Sequence, residues 1–387
     1  MRVFTSSRAA ALAFGMALLA VPAALDRAAA QTQASASPPP SAQPSQALPD
    51  TVDRYGIVFD NWVAKYQPKT AILVVRRGGK TVFARGHGAD PLKPTMIASL
   101  SKPITGACVA TLIRDGKISF TTRLRNALSR FFTRYGSPAD PRLADVTVEQ
   151  LLVHRSGLMG NGDDDPIYGV MNKRAYMGRG YLAAIQSVLG EYLMKLHLIR
   201  RPGTQYAYSN TGYEVLSAMI EERTGSTYED YCRDAVFGRL GIAEPRLHPD
   251  WRMLSGAGGW YVPGPDYLAF LDIFNPSHPF LPDSVKSWID RAQTKWTPGN
   301  KDRWYALGLN TWSGSGRWTV SHGGILNADG MAPDGRPTEA SVVSHAYRAA
   351  DGTAVFIALN WSPQAQTALD ELRRDIGDTH KLVTVLP

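Results

Sequence analysis

The sequence predicts an α+β fold: one antiparallel sheet made by the two ends of the chain, with terminal helices on one face and a central helical region beside it. Three observations lead there. Strand-like runs lie near both ends, at residues 70–75 and 81–84 and again at 318–321, 340–347 and 353–360. Helical spacing and helix-boundary signals fill roughly residues 95–315. A last amphipathic stretch puts Leu369, Leu372 and Ile376 on one face. Strands from both termini and helices from the centre assemble most economically as one sheet with helices packed against it.

The first thirty residues read as a leader and not as fold. Arg2 and Arg8 give a positive start, residues 9–25 form an apolar run, and Ala28-Ala29-Ala30 offers the small-residue site that a signal peptidase needs. The run is short for a membrane span and contains Pro22, with Asp26 at its flank. Cleavage is therefore expected, with no stable membrane anchor afterwards and a periplasmic or secreted destination. Residues 31–50, rich in Pro, Ser, Ala and Gln, have too little apolar surface to offset their ordering entropy and read as a disordered linker.

The folded domain is expected over residues 51–387. It opens with a helix at 53–66 that sets Ile57, Trp62 and Val63 at helical intervals, then a hairpin turning at Arg77-Gly78-Gly79-Lys80. Thr147 with Gln150, and Ser226 with Glu229, match the capping-box pattern; Gly116 and Gly225 end the helices before them. Ala350-Asp351-Gly352 marks the turn between the last two strands, and Gly377 is expected to stop the final helix.

The formal charge is +8, but the basic residues are scattered. No Lys/Arg block with interleaved aromatics follows a phosphate backbone, so nucleic acid is not an expected partner. Two cysteines, Cys108 and Cys232, are too few for a disulfide scaffold or a cysteine zinc cluster. Both sit on helical patterns and are expected as buried free thiols, although an oxidising compartment permits one bridge. Asp163-Asp164-Asp165 has no accompanying histidine spacing and reads as a solvated loop, so no metal site is expected.

Candidate chemistry begins at Ser99. Residues 95–115 carry a helical stripe of Ile104, Cys108, Val109 and Leu112, and Pro103 must lie in the first turn, where its missing N–H is harmless. Ser99 then stands at the helix start, with Lys102 three residues on and on the same face. A serine hydroxyl needs a neighbouring base, and a partly desolvated lysine suits that role. Tyr208-Ser209-Asn210 precedes another helix and offers a phenol and an amide. His322-Gly323-Gly324-Ile325 ends a strand in two glycines, which allow close backbone approach, and an N–H after them suits an oxyanion hole with that of Ser99. Residues 151–158 run from an apolar helix end into a tight glycine turn, and His154 and Arg348 are further candidates for the neighbourhood.

Ser99-Leu100-Ser101-Lys102, Tyr208-Ser209-Asn210 and His322-Gly323-Gly324 occur once each, in an order and spacing that resembles the serine β-lactamase and penicillin-binding-protein superfamily. The Tyr-x-Asn motif is similar to the class C β-lactamase and esterase branch, as are the segments 151–158, 201–213 and 255–260. The resemblance covers about residues 51–377 and implies a β-lactamase/transpeptidase-like fold, with no cofactor and no metal. It implies Ser99 as acylated nucleophile, Lys102 and Tyr208 as the proton-transfer pair, and Asn210 as the group that orients Lys102 and the substrate. His322 opens the third motif, with Gly323 and Gly324 behind it, and the N–H groups of Ser99 and Ile325 form the oxyanion hole.

One departure matters. Where β-lactamases carry a lysine with a fixed charge, this chain has His322, mostly neutral at pH 7. That tips the expected substrate towards small neutral esters or amides. A D-stereospecific peptidase or carboxypeptidase on cell-wall peptides comes second, a β-lactamase third, and a weakly active wall-peptide sensor is the reading outside enzymes. Residues 159–200, with four tyrosines and several glycines, are expected to overhang the site as a specificity wall.

Overall fold

The computed structural model describes residues 51–158, 189–297, 303–314, 317–326, 342–360 and 362–384, all within the unit Pro49–Pro387. Ten strands are named in it: β1 (Ala71–Arg77), β2 (Lys80–His87), β3 (Thr95–Met96), β4 (Arg246–Leu247), β5 (Trp260–Val262), β6 (Trp304–Ala306), β7 (Leu309–Gly314), β8 (Arg317–Leu326), β9 (Val342–Arg348) and β10 (Ala354–Asn360). Seven form one sheet in the order β2-β1-β10-β9-β8-β7-β6, and β3-β5-β4 form a small second sheet. The two ends of the chain meet in the main sheet as expected: β1 runs antiparallel to β10, from Ala71 opposite Leu359 to Arg76 opposite Ala354.

The pleat of β1 divides two cores. Ala71, Leu73 and Val75 face one side with Phe83, Val343, Ile357, the first helix and the last helix. Ile72 and Val74 face the other, against the central helices. A strand buried on both faces needs an unbroken apolar run, which residues 71–75 supply. The first helix, Thr51–Tyr66, buries Tyr55, Phe59 and Trp62, and the Trp62 indole donates to the Ala368 carbonyl at 2.7 Å, joining the terminal helices. Ile57, placed on that face by the sequence reading, is 49% exposed; the i, i+4, i+7 set that packs is 55, 59, 62.

The helix Ser101–Arg114 is buried from Ser101 to Leu112, so it is a core helix with no polar face over that length. The expected stops at Gly116 and Gly225 occur, with φ of 67° and 74°. The capping box at Thr147 and Gln150 forms in both directions.

Four further expectations need correction. The final helix, Ala365–Thr384, runs through Gly377; a mid-helix glycine costs only ~1 kcal/mol against alanine, and packing of the apolar face outweighs it. The second capping box shifts by one residue, because Thr227 accepts from the Asp230 N–H while Glu229 turns inward to accept from Leu247 N. The centre is mostly helical, as expected, and at its end β6 and β7 form a hairpin through Leu307 and Gly308, both at positive φ, where leucine hid the usual Asn-Gly signal. Cys108 and Cys232 are bridged, because their two helices pack with the Cα atoms 5.5 Å apart. Arg348 is not near the candidate site: it pairs with Asp272 at the far end of β9, at 3.3 Å.

Candidate active site

Ser99 lies on a short 3-10 turn, Ala98–Leu100, that feeds directly into the helix Ser101–Arg114. Pro103 falls in the first helical turn, as its chemistry requires. Ala98 has φ of 47°, a left-handed conformation that costs a non-glycine residue ~1–2 kcal/mol. The surroundings hold it there. Ser101 Oγ donates to Ala98 O at 2.7 Å and accepts from Trp260 N at 3.0 Å, Ile97 N donates to Trp260 O at 3.2 Å, and Ser344 Oγ donates to Ile97 O at 2.8 Å. The turn is thus clamped between β5 and β9, and Ser99 is its half-exposed outer residue.

Lys102 is fully buried, and its Nζ reaches three oxygens: Ser99 Oγ at 3.0 Å, Asn210 Oδ1 at 2.8 Å and Ala257 O at 2.7 Å. Two of these are carbonyl oxygens, which only accept. They therefore claim two N–H bonds of the amine whatever its charge. The remaining tetrahedral direction points at Ser99 Oγ, as an N–H in the ammonium and as a lone pair in the neutral amine. That orientation lets Lys102 take the Ser99 proton. Nζ also lies 4.7 Å from the centre of the Tyr208 ring and 5.8 Å from that of Tyr213.

Tyr208 and Asn210 are set by the entry into the helix Asn210–Thr224. Ser209, not Asn210, caps that helix by accepting from Gly212 N at 3.1 Å. With the cap supplied by its neighbour, the Asn210 amide is available for Lys102. The opposing wall is β8. Its half from Arg317 to Ser321 pairs with β7, whereas the half from His322 to Leu326 pairs only with β9 among the described residues. Among the described residues no strand pairs with the other edge of His322–Ile325, which lies beside Ser99. Gly324 sits so close to the nucleophile turn that a Cβ there would lie 2.7 Å from Ile97 O. Gly323 and Ile325 are exposed on the other face.

His322 is buried and engaged. Nδ1 meets Gly323 O at 2.5 Å and Nε2 meets the Tyr305 hydroxyl at 3.1 Å. The carbonyl only accepts, so Nδ1 carries the proton and Nε2 accepts from the phenol. Burial holds the Tyr305 phenol far above its ordinary range and keeps it a donor. Burial first, and the Lys102 charge second, pull His322 down to about 3. The residue is a neutral imidazole throughout the physiological range.

The sequence-predicted residues Ser99, Lys102, Tyr208, Asn210, His322, Gly323, Gly324 and Ile325 therefore converge, through direct bonds, ring contacts and strand adjacency. Sequence reasoning missed Ala257 O, Tyr305 and Tyr213, which act through a carbonyl and through ring burial. The nearest signal was the glycine density at 256–259, which lets a backbone carbonyl approach a side chain. Residues 159–188 of the expected specificity wall, and the acidic triplet, lie outside the described residues. Among the described residues, no group of His, Cys, Asp or Glu is arranged to hold a metal ion.

Fold and candidate site together define a chain of the β-lactamase/transpeptidase-like class. The beta-lactamase family model matches residues 58–377, and the chain belongs to that family. Solved structures share the fold: EstCE1, a hydrolase with promiscuous acyltransferase activity, has a TM-score of 0.64 at 14% identity, over 85% of this chain and 98% of that one. The D-amino acid amidase from Ochrobactrum anthropi SV3, complexed with L-phenylalanine, has a TM-score of 0.63 at 16% identity, over 86% and 99%. A curated relative, Protein flp of Staphylococcus aureus (strain MW2), is 26% identical over 176 residues, 43% of this chain and 32% of that protein. The match thus spans about a third of the relative's length.

Proposed function

We propose that this chain is an exported serine hydrolase that forms a covalent acyl-enzyme on Ser99 and acts on small neutral esters or amides. The observation that carries the reading is the orientation of Lys102, whose two carbonyl acceptors leave its third direction to Ser99 Oγ. In acylation, Ser99 Oγ bonds to the substrate carbonyl carbon as its proton passes to the Lys102–Tyr208 pair. The carbonyl oxygen becomes an oxyanion facing the N–H groups of Ser99 and Ile325. The bond to the alcohol or amine then breaks, and the same proton goes to that leaving group. In the second half a water attacks the acyl carbon, gives a proton to the pair, and Ser99 Oγ leaves with it.

The neutral state of His322 supports a preference for uncharged substrates, since nothing at that position offers a fixed cation. The open edge of β8 favours a second reading, amide or peptide substrates aligned as an added strand, and the D-amino acid amidase shares this fold. A β-lactamase ranks third, because its carboxylate substrates lose the cationic anchor. Export rests on the leader at 1–30, and the buried Cys108–Cys232 bridge supports an oxidising compartment.

A fluorophosphonate probe tests the reading: wild type is labelled and Ser99→Ala is not. An unlabelled, folded wild type overturns it. Turnover of p-nitrophenyl esters, D-alanyl amides and a chromogenic cephalosporin then ranks the substrate classes. The N-terminal mass of secreted protein tests cleavage after Ala30.

A further inference from the structure

His154 stands out among the described residues for three features that its neighbours do not share. It has φ of 56°, a left-handed backbone, without being glycine. Its ring is almost wholly buried among four tyrosine rings, at 4.4 Å from Tyr208, 4.7 Å from Tyr305, 5.1 Å from Tyr213 and 5.7 Å from Tyr206. Its Nε2 has no hydrogen-bond partner among the described residues. Each feature is unfavourable, and their coincidence in one residue calls for a compensating role.

That role is visible in what His154 holds. Its main-chain carbonyl accepts from Ala207 N at 2.8 Å, and its Nδ1 accepts from Ser209 N at 3.1 Å. One residue therefore grips the backbone on both sides of Tyr208 while its ring lies against the phenol ring. The positive φ turns the carbonyl and the ring towards the same strand of chain. Because Nδ1 accepts, the ring proton is on Nε2, and burial, then Lys102, then His322 hold the imidazole well below its ordinary value and so neutral. A charged ring would lose the Nδ1 acceptor and put a second cation beside Lys102.

We infer that His154 is a positioning residue for Tyr208, fixing the phenol against Lys102 and Ser99 by bracketing its backbone from both sides. The inference rests on the proposed part of Tyr208 in proton transfer and adds a residue that acts through Tyr208.

The test is a double-mutant cycle on purified, folded protein, with Ser99 acylation by the fluorophosphonate probe and steady-state ester turnover as readouts. His154→Leu removes the acceptor and is expected to lower kcat about 30-fold or more, with KM within about threefold. His154→Asn keeps an acceptor on the same atom position and tolerates the left-handed backbone, and is expected to recover to within about fivefold of wild type. In a Tyr208→Phe background, His154→Leu should add little. Should His154→Leu not fold, His154→Gln carries the same expectation, because its acceptor sits one bond farther out. Normal kcat in His154→Leu, additive losses with Tyr208→Phe, or no rescue by asparagine would each overturn the inference while Ser99 labelling leaves the hydrolase reading standing. Near-normal turnover in Tyr208→Phe would remove the Tyr208 role and this inference together.

Discussion

A Cβ placed on Gly324 would stand 3.0 Å from the backbone nitrogen of Ser99. The same atom would meet Ser344 Oγ at 2.5 Å. β8 thus touches the nucleophile turn through backbone, with no room for a side chain between them. In the proposed oxyanion hole, this contact sets the Ser99 N–H beside the strand that carries the Ile325 N–H. Gly324→Ala is expected to push them apart, lowering kcat/KM about 10²-fold, on the scale of one oxyanion-hole donor, and stability by about 1–3 kcal/mol. Ester kinetics and thermal melts measure both; unchanged kinetics would count against the oxyanion assignment.

Lys102→Met keeps the length and packing of the buried side chain but removes its amine. Single-turnover acylation should slow by about 10²–10⁴-fold. A rate within tenfold of wild type would exclude Lys102 from proton transfer.

Two left-handed glycines should separate strain from contact. Gly116, at φ of 67°, has nothing within 4 Å of a built Cβ, so Gly116→Ala should cost about 1 kcal/mol of stability and leave kcat unchanged. Gly308, at φ of 84°, would set its Cβ 2.4 Å from Lys102 C and Pro103 N. Gly308→Ala should therefore destabilise by several times as much, by about 3 kcal/mol or more, and should lower activity by shifting Lys102. Equal effects in the two variants would show that the hairpin does not press on the nucleophile helix.

Acid stability should report the buried histidines. His322 falls from its ordinary 6.5 to about 3 in the folded state, through burial and then Lys102. Burial also lowers His154 and His345. The folded state then binds fewer protons than the unfolded one, so this stability is complete above about 6.5 and is lost as pH falls towards 3. Asp140, held below the ordinary carboxylate range by Arg142, adds its own loss only below about 3.8. Denaturant titrations at pH 7 and 5.5, above the ordinary 4.5 of Glu371, whose carboxyl the Lys65 hydrogen bond holds down, isolate the histidines, each worth about 1.4 kcal/mol per unit of displaced pKa as an upper bound. His322→Asn should flatten the slope. The rate ratio of neutral to carboxylate-bearing esters should stay constant from about pH 5 to 8, where an ordinary histidine would titrate; a ratio that tracks pH would show a charged His322.

The Cys108–Cys232 bridge closes a loop of 124 residues in sequence separation and ties the nucleophile helix to Tyr228–Cys232. Reduction, or the double change to serine, should cost about 2–5 kcal/mol. Melts with and without reductant measure it, and coincident curves would mean that the bridge contributes nothing.

The local grammar of the chain was legible in its residues. Pro103 fixed where the helix behind Ser99 begins, Gly116 and Gly225 marked helix ends, and the β-rich runs around Gly78-Gly79 marked a hairpin. Each depends on interactions within a few residues. The Ser99, Tyr208 and His322 motifs were legible too, because their side-chain chemistry is distinctive. What Lys102 does was not: the Ala257 carbonyl that completes its triad of acceptors is 155 residues away, and a backbone oxygen leaves no mark on residue type. The fall of His322 to about 3 depended on burial and then on Lys102, the pairing of Cys108 on the packing of two helices, and the grip of His154 on Tyr208 on a single left-handed residue. Ser99 and Lys102 identify a candidate nucleophile and base from sequence alone. Only the fold decides which way the amine points, because that direction is set by acceptors brought in from elsewhere in the chain.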